Sequence, residues 1–269
     1  MPERVRGNLT DKLVPALVVV VVAMAFGMGA MWNKLQDLSK TKTVTPVAST
    51  TPAQAAPATP TISLDTIKGI FSKNVIKFGD GKSKLLLVEV ADPSCPYCHV
   101  AGGENSSLNK QMGSQFTLVA DGGTYVAPVT EMRKLVDQGK ADFAWVYFPG
   151  HGNGEMGTKA LYCGFDQGKF WQIHDKLMSS SGYDLLNTTV KNDKTKTAEL
   201  VKFLQGAADT TKLKDCIDSG KYDARLNADT QLASSLGVNG TPGFFVNDKS
   251  FAGAYNWKDM KSVADAALQ

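Results

Sequence analysis

The stretch Lys84-Leu85-Leu86-Leu87-Val88-Glu89-Val90-Ala91-Asp92-Pro93-Ser94-Cys95-Pro96-Tyr97-Cys98-His99 decides how the rest of the chain is read. Leu85 to Ala91 is a short apolar run rich in branched residues, and Asp92-Pro93-Ser94 interrupts it. That is the pattern of a buried strand ending at a turn. Ser94 is placed to cap a following helix, and Pro96 suits a first-turn position where its missing N–H has no partner to lose. Cys95 and Cys98 therefore fall on the first turn of a helix that begins where the strand stops. Unpaired N–H groups at a helix start favour negative charge, so a thiol there ionises more readily than a free cysteine. On this reading Cys95 is the exposed, attacking thiolate, and Cys98, facing the protein, closes the disulfide. Glu89 is an acid within the apolar strand. Buried, it can relay the proton of Cys98; on an edge strand it would face solvent.

A single CxxC is also half of a zinc site, but a structural zinc site wants four ligands, usually from two such pairs. Cys163 and Cys216 stand alone in the sequence. No metal and no cofactor is expected, and redox chemistry is the leading reading. The chain has 269 residues, 43% of them apolar and 20% charged, enough for one domain with a full core. A net charge of +3 is too mild to argue for nucleic acid, and no basic stripe with interleaved aromatics occurs.

Leu13 to Met31 carries no charge and ends at Trp32. As a helix it spans about 28 Å, close to a bilayer core, with Trp32 in the interfacial belt. The competing reading is a cleavable signal peptide, whose apolar region is shorter, about 7–15 residues. Residues 13–32 are therefore expected to be one N-terminal transmembrane anchor, with 1–12 cytoplasmic. The basic residues Arg4, Arg6 and Lys12 before the span nearly balance Lys34, Lys40 and Lys42 after it, so orientation rests on the redox motif and the linker. Thr41 to Thr61 is almost entirely Thr, Pro, Ala, Ser and Val, a composition that cannot bury enough surface to fold, and the linker over 33–61 reads as an extracytoplasmic tether.

The folded domain is expected over 62–269. It starts with a helix at Leu64 to Phe71 and a strand at Val75 to Phe78. The helix bearing the cysteines is expected to run to about Met112, with a short strand at Phe116 to Ala120. A helix over Thr130 to Gln138 and a strand over Ala141 to Phe148 follow, and strand–helix–strand order makes a parallel pairing with the central strand. From about 155 to 233 the periodicity is helical. Gly237-Val-Asn-Gly-Thr241-Pro242-Gly-Phe-Phe-Val-Asn247 then leads into a strand. A proline entering a strand is awkward for pairing, and a cis Thr241–Pro242 bond would resolve this, with a trans proline in a loop as the alternative. A hairpin turn at Asn247 to Ser250 and a closing helix at Trp257 to Leu268 complete the chain.

Three features coincide: CxxC after a strand, a helical insertion, and Gly-Thr-Pro-x-Phe-Phe-Val near the C-terminus. Together they resemble the DsbA-like branch of the thioredoxin superfamily, over roughly Val75 to Leu268. The resemblance implies an α/β thioredoxin-like fold with an inserted helical domain, and thiol–disulfide exchange with secreted proteins. It makes Cys95 the nucleophile, Cys98 the resolving thiol and Glu89 the buried acid. Pro96, Tyr97, Thr241 and Pro242 become substrate-contacting residues. Pro96-Tyr97 departs from the Pro-His of the strongly oxidising members and looks like the glutaredoxin dipeptide, which implies a less oxidising couple. His99 and His174 read as structural histidines and His151 as a loop residue.

Cys163 and Cys216 would form a structural disulfide outside the cytoplasm; two buried free thiols are the alternative. The chain is expected to be a membrane-tethered oxidoreductase that introduces disulfides into unfolded or partly folded secreted proteins and is recycled by a membrane redox partner. A reductase or isomerase of the same fold, or a non-catalytic peptide-binding module, are the competing readings. The sequence does not indicate an oligomeric state.

Overall fold

The computed structural model describes residues 62–269. The cytoplasmic segment, anchor and linker expected over 1–61 lie outside the described residues. Among the described residues no helix is long and apolar enough to cross a membrane.

The centre of the fold is a five-stranded mixed sheet. Its strands are β1 (Ile76–Phe78), β2 (Leu85–Ala91), β3 (Ala141–Tyr147), β4 (Gly243–Val246) and β5 (Lys249–Ala252), in the order β1-β3-β2-β4-β5. β2 runs parallel to β3 and antiparallel to β4, and the two outer pairings are antiparallel. Every residue of β2 and β3 is buried. Strands covered on both faces read as continuous apolar runs, which is why Leu85 to Ala91 lacks alternation. Eleven α-helices surround the sheet among the described residues: α1 (Leu64–Ile70), α2 (Pro96–Gly102), α3 (Ser106–Gln111), α4 (Pro128–Asp137), α5 (Glu155–Phe165), α6 (Phe170–Met178), α7 (Ser180–Asp184), α8 (Thr197–Phe203), α9 (Thr210–Asp218), α10 (Asp223–Ser235) and α11 (Trp257–Leu268).

Leu86, Val88 and Val90 pack with Ile67 and Ile70 of α1 and Ala233 of α10 on one face. Leu85, Leu87 and Ala91 face the larger core, with Cys98, Met132, Leu161, Phe170 and Met260. Side chains alternate along a strand, so Glu89 points into that second face, the one carrying the cysteines. Because β2 is flanked on both sides, the edge-strand reading of Glu89 does not hold.

Two expected elements take another form. The helix bearing the cysteines stops at Gly102 rather than near Met112. Gly103 adopts φ +78° and its N–H closes onto the His99 carbonyl, a left-handed helix stop. A Cβ at Gly103 would fall 2.6 Å from that of Ala127, so glycine is required there. The Phe116 to Ala120 segment is not a strand. It forms 3-10 turns at Ser114–Phe116 and Val119–Asp121, with a single bridge from Leu118 to Tyr125. Between β3 and β4 the chain is helical, including a π-helical turn at Leu185–Val190 that periodicity did not foresee.

Candidate active site

β2 delivers the chain to a tight turn in which the Cys95 N–H donates to the Asp92 carbonyl at 3.0 Å. Cys95 itself is the N-cap of α2, with Pro96 at the first helical position. Ser94 does not cap the helix as expected. Its hydroxyl and N–H both donate to Oδ1 of Asp92, each at 2.7 Å, the local turn that Asp-Pro-Ser favours. Asp92 is fully buried, and its Oδ2 accepts the His151 N–H at 2.8 Å. The Asn153 N–H donates to the Ser94 hydroxyl at 3.2 Å, and Asn187 Nδ2 donates to the Ser94 carbonyl at 3.1 Å. Asn153 Nδ2 in turn donates to Asn187 Oδ1 at 3.1 Å. The loop after β3 and the π turn thus fasten the residues that precede Cys95. The sequence reading missed Asp92, Asn153 and Asn187; only Asp-Pro-Ser carried a local signal.

The Thr241–Pro242 bond is cis. It brings the Thr241 carbonyl oxygen to 3.4 Å from Sγ of Cys95. Cys95 consequently keeps only 4% of its surface exposed, which corrects the expectation of an open thiol. Tyr97 is the exposed member of the motif, its ring edge-on to Phe116 at 6.0 Å. Gly150, after β3, closes against the Thr241 side chain so tightly that a Cβ there would overlap the hydroxyl. A cleft of about 500 Å³ nearby is lined by Phe116, Tyr125, Ala254 and Tyr255.

The two thiols differ sharply. A hydrogen bond from the Cys98 thiol, then the Thr241 side chain and the N–H groups of Cys98 and Tyr97, lower Cys95 to about 6 against an opposing burial effect. Cys98 is fully buried, and burial, then the neighbouring Cys95 and the Glu89 charge, push it well above its ordinary value. Its sulfur accepts the Asp92 N–H at 3.5 Å. At neutral pH the pair is therefore a thiolate at Cys95 and a thiol at Cys98. Glu89 is fully buried between Trp145 and Phe244 on the adjacent strands, and neither carboxyl oxygen has a hydrogen-bond partner. Burial pushes its carboxyl up to about 7, with the His174 charge opposing.

His99 is buried, with its ring nitrogens 2.8 Å from the carbonyls of Met178 and Pro93. Burial pulls it down to about 4. His151 is exposed on its loop. Cys163 and Cys216 are disulfide-bonded, joining α5 to α9 with Cα atoms 6.0 Å apart. The six residues Cys95, Pro96, Tyr97, Cys98, Thr241 and Pro242 come together, with Glu89 beneath, while Cys163–Cys216 belongs to the helical segment. Among the described residues, no group of three or more His, Cys, Asp or Glu is gathered to hold a metal ion.

Comparison with known proteins agrees with this fold. The chain is 24% identical over 194 residues to the Na(+)/H(+) antiporter NhaA 3 of Salinispora tropica, covering 71% of this chain and 24% of that protein. The chain thus spans about a quarter of the length of the antiporters it matches. It is 22% identical over 202 residues to disulfide bond formation protein D of Bacillus subtilis, covering 71% of this chain and 76% of that protein. Among solved structures, alpha-DsbA1 of Wolbachia pipientis superposes with a TM-score of 0.52 at 22% identity, over 72% of this chain and 91% of that one. A family model described as thioredoxin matches residues 129–266, just over half the chain, beginning downstream of Cys98. With a mixed sheet, a cis-proline beside the first cysteine, and that match, the chain belongs to the thioredoxin family.

Proposed function

We propose that this protein is an extracytoplasmic thiol–disulfide oxidoreductase that introduces disulfides into secreted or surface proteins through Cys95 and Cys98. The observation that carries the reading is the geometry of the pair: Cys95 caps the start of α2 with its Sγ 3.4 Å from the Thr241 carbonyl oxygen, and Cys98, three residues on, is fully buried. In the oxidised enzyme a substrate thiolate attacks Sγ of Cys95, and Cys98 leaves as a thiolate and takes up a proton, with Glu89 the buried acid near it. A second substrate thiolate then attacks the substrate sulfur of the mixed disulfide. Cys95 leaves as a thiolate, and two electrons have passed to the enzyme. A low-pKa thiol is the better leaving group, which favours release of the oxidised substrate.

Pro96, Tyr97, Thr241 and Pro242 hold the substrate chain in this reading, and the aromatic cleft beside Tyr97 offers it an apolar rest. Residues 13–32 anchor the protein, 33–61 form the tether, and the domain over 62–269, with its helical insertion at about 155–233, works outside the cytoplasm. A membrane redox protein re-oxidises the Cys95–Cys98 pair. The likeness to a protein described as taking part in disulfide bond formation supports this direction.

The deciding experiment is the reduction potential of the Cys95–Cys98 pair, equilibrated against glutathione. A value near about −120 mV supports net oxidation, and one near about −270 mV makes the protein a reductase. No reversible couple at all would leave a peptide-binding module.

A further inference from the structure

His174, on α6, is 1% exposed. Its Nδ1 lies 3.2 Å from Oδ1 of Asp175, and its Nε2 is buried without a hydrogen-bond partner. A Cβ at Gly102, one turn beyond Cys98 on α2, would lie 4.0 Å from its Cε1. On its other side the imidazole packs on Phe170, with ring centroids 5.7 Å apart, and Phe170 packs on Trp145 at 6.2 Å. Trp145 is the cross-strand neighbour of Glu89. Both carboxyl oxygens of Glu89 and Nε1 of Trp145 are likewise buried without partners. Glu89, Trp145 and His174 thus hold four buried polar atoms without partners, and internal water is the ordinary partner of such atoms.

We propose that His174 carries protons between Glu89 and the surface carboxylate Asp175, and so lets the buried Cys98 exchange its proton with solvent. This rests on the thiol–disulfide exchange reading. When Cys98 must attack the mixed disulfide, its thiol proton passes to the Glu89 carboxylate. Glu89 returns to its anion by passing a proton, through water, to Nε2 of His174. The imidazolium then releases the Nδ1 proton to Asp175, which is about one-third exposed, and the ring is neutral again. When Cys98 leaves as a thiolate in the opposite half-reaction, each proton retraces its path and the starting tautomer is restored. No electron moves along this route.

The tautomer required before proton uptake has Nδ1–H donating to Asp175 and Nε2 bare. That matches the pairing seen at Nδ1 and the orphaned Nε2. The charged groups around the route are Cys98 and His99 on α2, Glu104 just after it, Arg133 on α4 and Asp175 beside His174. Arg133 Nη1 is 2.8 Å from Oδ2 of Asp175, which keeps the outer end of the route anionic.

The test separates the two steps that the reduced protein makes with oxidised glutathione. Formation of the mixed disulfide at Cys95 is followed in Cys98→Ser, and its resolution in the Cys98-containing chain. His174→Gln is expected to leave formation unchanged and slow resolution by about a hundred-fold at pH 7. Combining it with Glu89→Gln is expected to add little, because the two act in series. Wild-type resolution rates from pH 6 to 9 in folded His174→Gln would overturn the relay alone, whereas failure of the wild type to form any mixed disulfide would overturn the oxidoreductase reading. Should His174→Gln not fold, imidazole ¹⁵N shifts in the wild type decide. An Nδ1–H tautomer whose Nε2 responds as Glu89 titrates supports the relay, and an Nε2 indifferent to Glu89 overturns it.

Discussion

Sγ of Cys95 and the carbonyl oxygen of Thr241 lie 3.4 Å apart, although 146 residues separate them in the chain. The contact covers the sulfur and leaves its acidity to be set by hydrogen bonds rather than by water. The rate at which iodoacetamide alkylates reduced Cys95 should rise with pH to a plateau with its midpoint near 6. A midpoint near about 8.5, that of a free thiol, would mean those hydrogen bonds do not hold the thiolate.

Glu89 should make the protein less stable as the pH rises. Its carboxyl is raised to about 7 by burial, so the folded chain keeps a proton that the unfolded chain releases above about 4.3. The contribution is complete below about 4.3 and is lost as pH rises through 7, a change of about 4 kcal/mol. Glu89→Gln removes that dependence. Its urea midpoint relative to the wild type should climb between pH 5 and pH 8; a constant difference would show that Glu89 titrates normally.

Gly150→Ala places a methyl group against the Thr241 side chain. The overlap should cost about 1–3 kcal/mol and shift the cis-proline loop away from Cys95, with a fall in exchange rate. Gly240→Ala, two residues before Pro242 and facing open space, is the control and should change stability by less than about 0.5 kcal/mol. Equal thermal shifts in the two variants would remove Gly150 from the account.

Replacing Cys163 and Cys216 together by alanine opens a loop of 53 residues. The chain-entropy model gives a loss of about 4 kcal/mol for a loop of that size. The alkylation midpoint of Cys95 should stay where it is. A shifted midpoint would couple the bridge to the redox pair.

Reading the sequence located the strand, the turn and both cysteines because that signal is local: an apolar run, a breaker and a proline after the first cysteine. The parallel pairing of β2 with β3 followed from strand–helix–strand order. What the sequence could not show was set by distant contacts. Cys95 is covered by Thr241, and no property of residues 90–100 announces that. Asn187 reaches the Ser94 carbonyl from a π turn, an element with no periodic signature. The early end of α2 was written in Gly102-Gly103, which the expected run to Met112 passed over. Ser94 showed a capping residue's chemistry, yet Asp92 two positions earlier took its hydroxyl.

The brevity of α2 carries a consequence for how redox strength could be tuned. A helix of seven residues has few aligned peptide dipoles to direct at Cys95. The acidity of that sulfur is therefore assembled from single contacts, namely the Cys98 thiol, Thr241 and two backbone N–H groups. The backbone N–H groups persist whatever side chains stand there, and Cys98 is itself half of the redox pair, so Thr241 is the contact open to substitution, without lengthening or repacking a helix. Potential in this protein is thus open to adjustment at Thr241, on a scaffold that need not change.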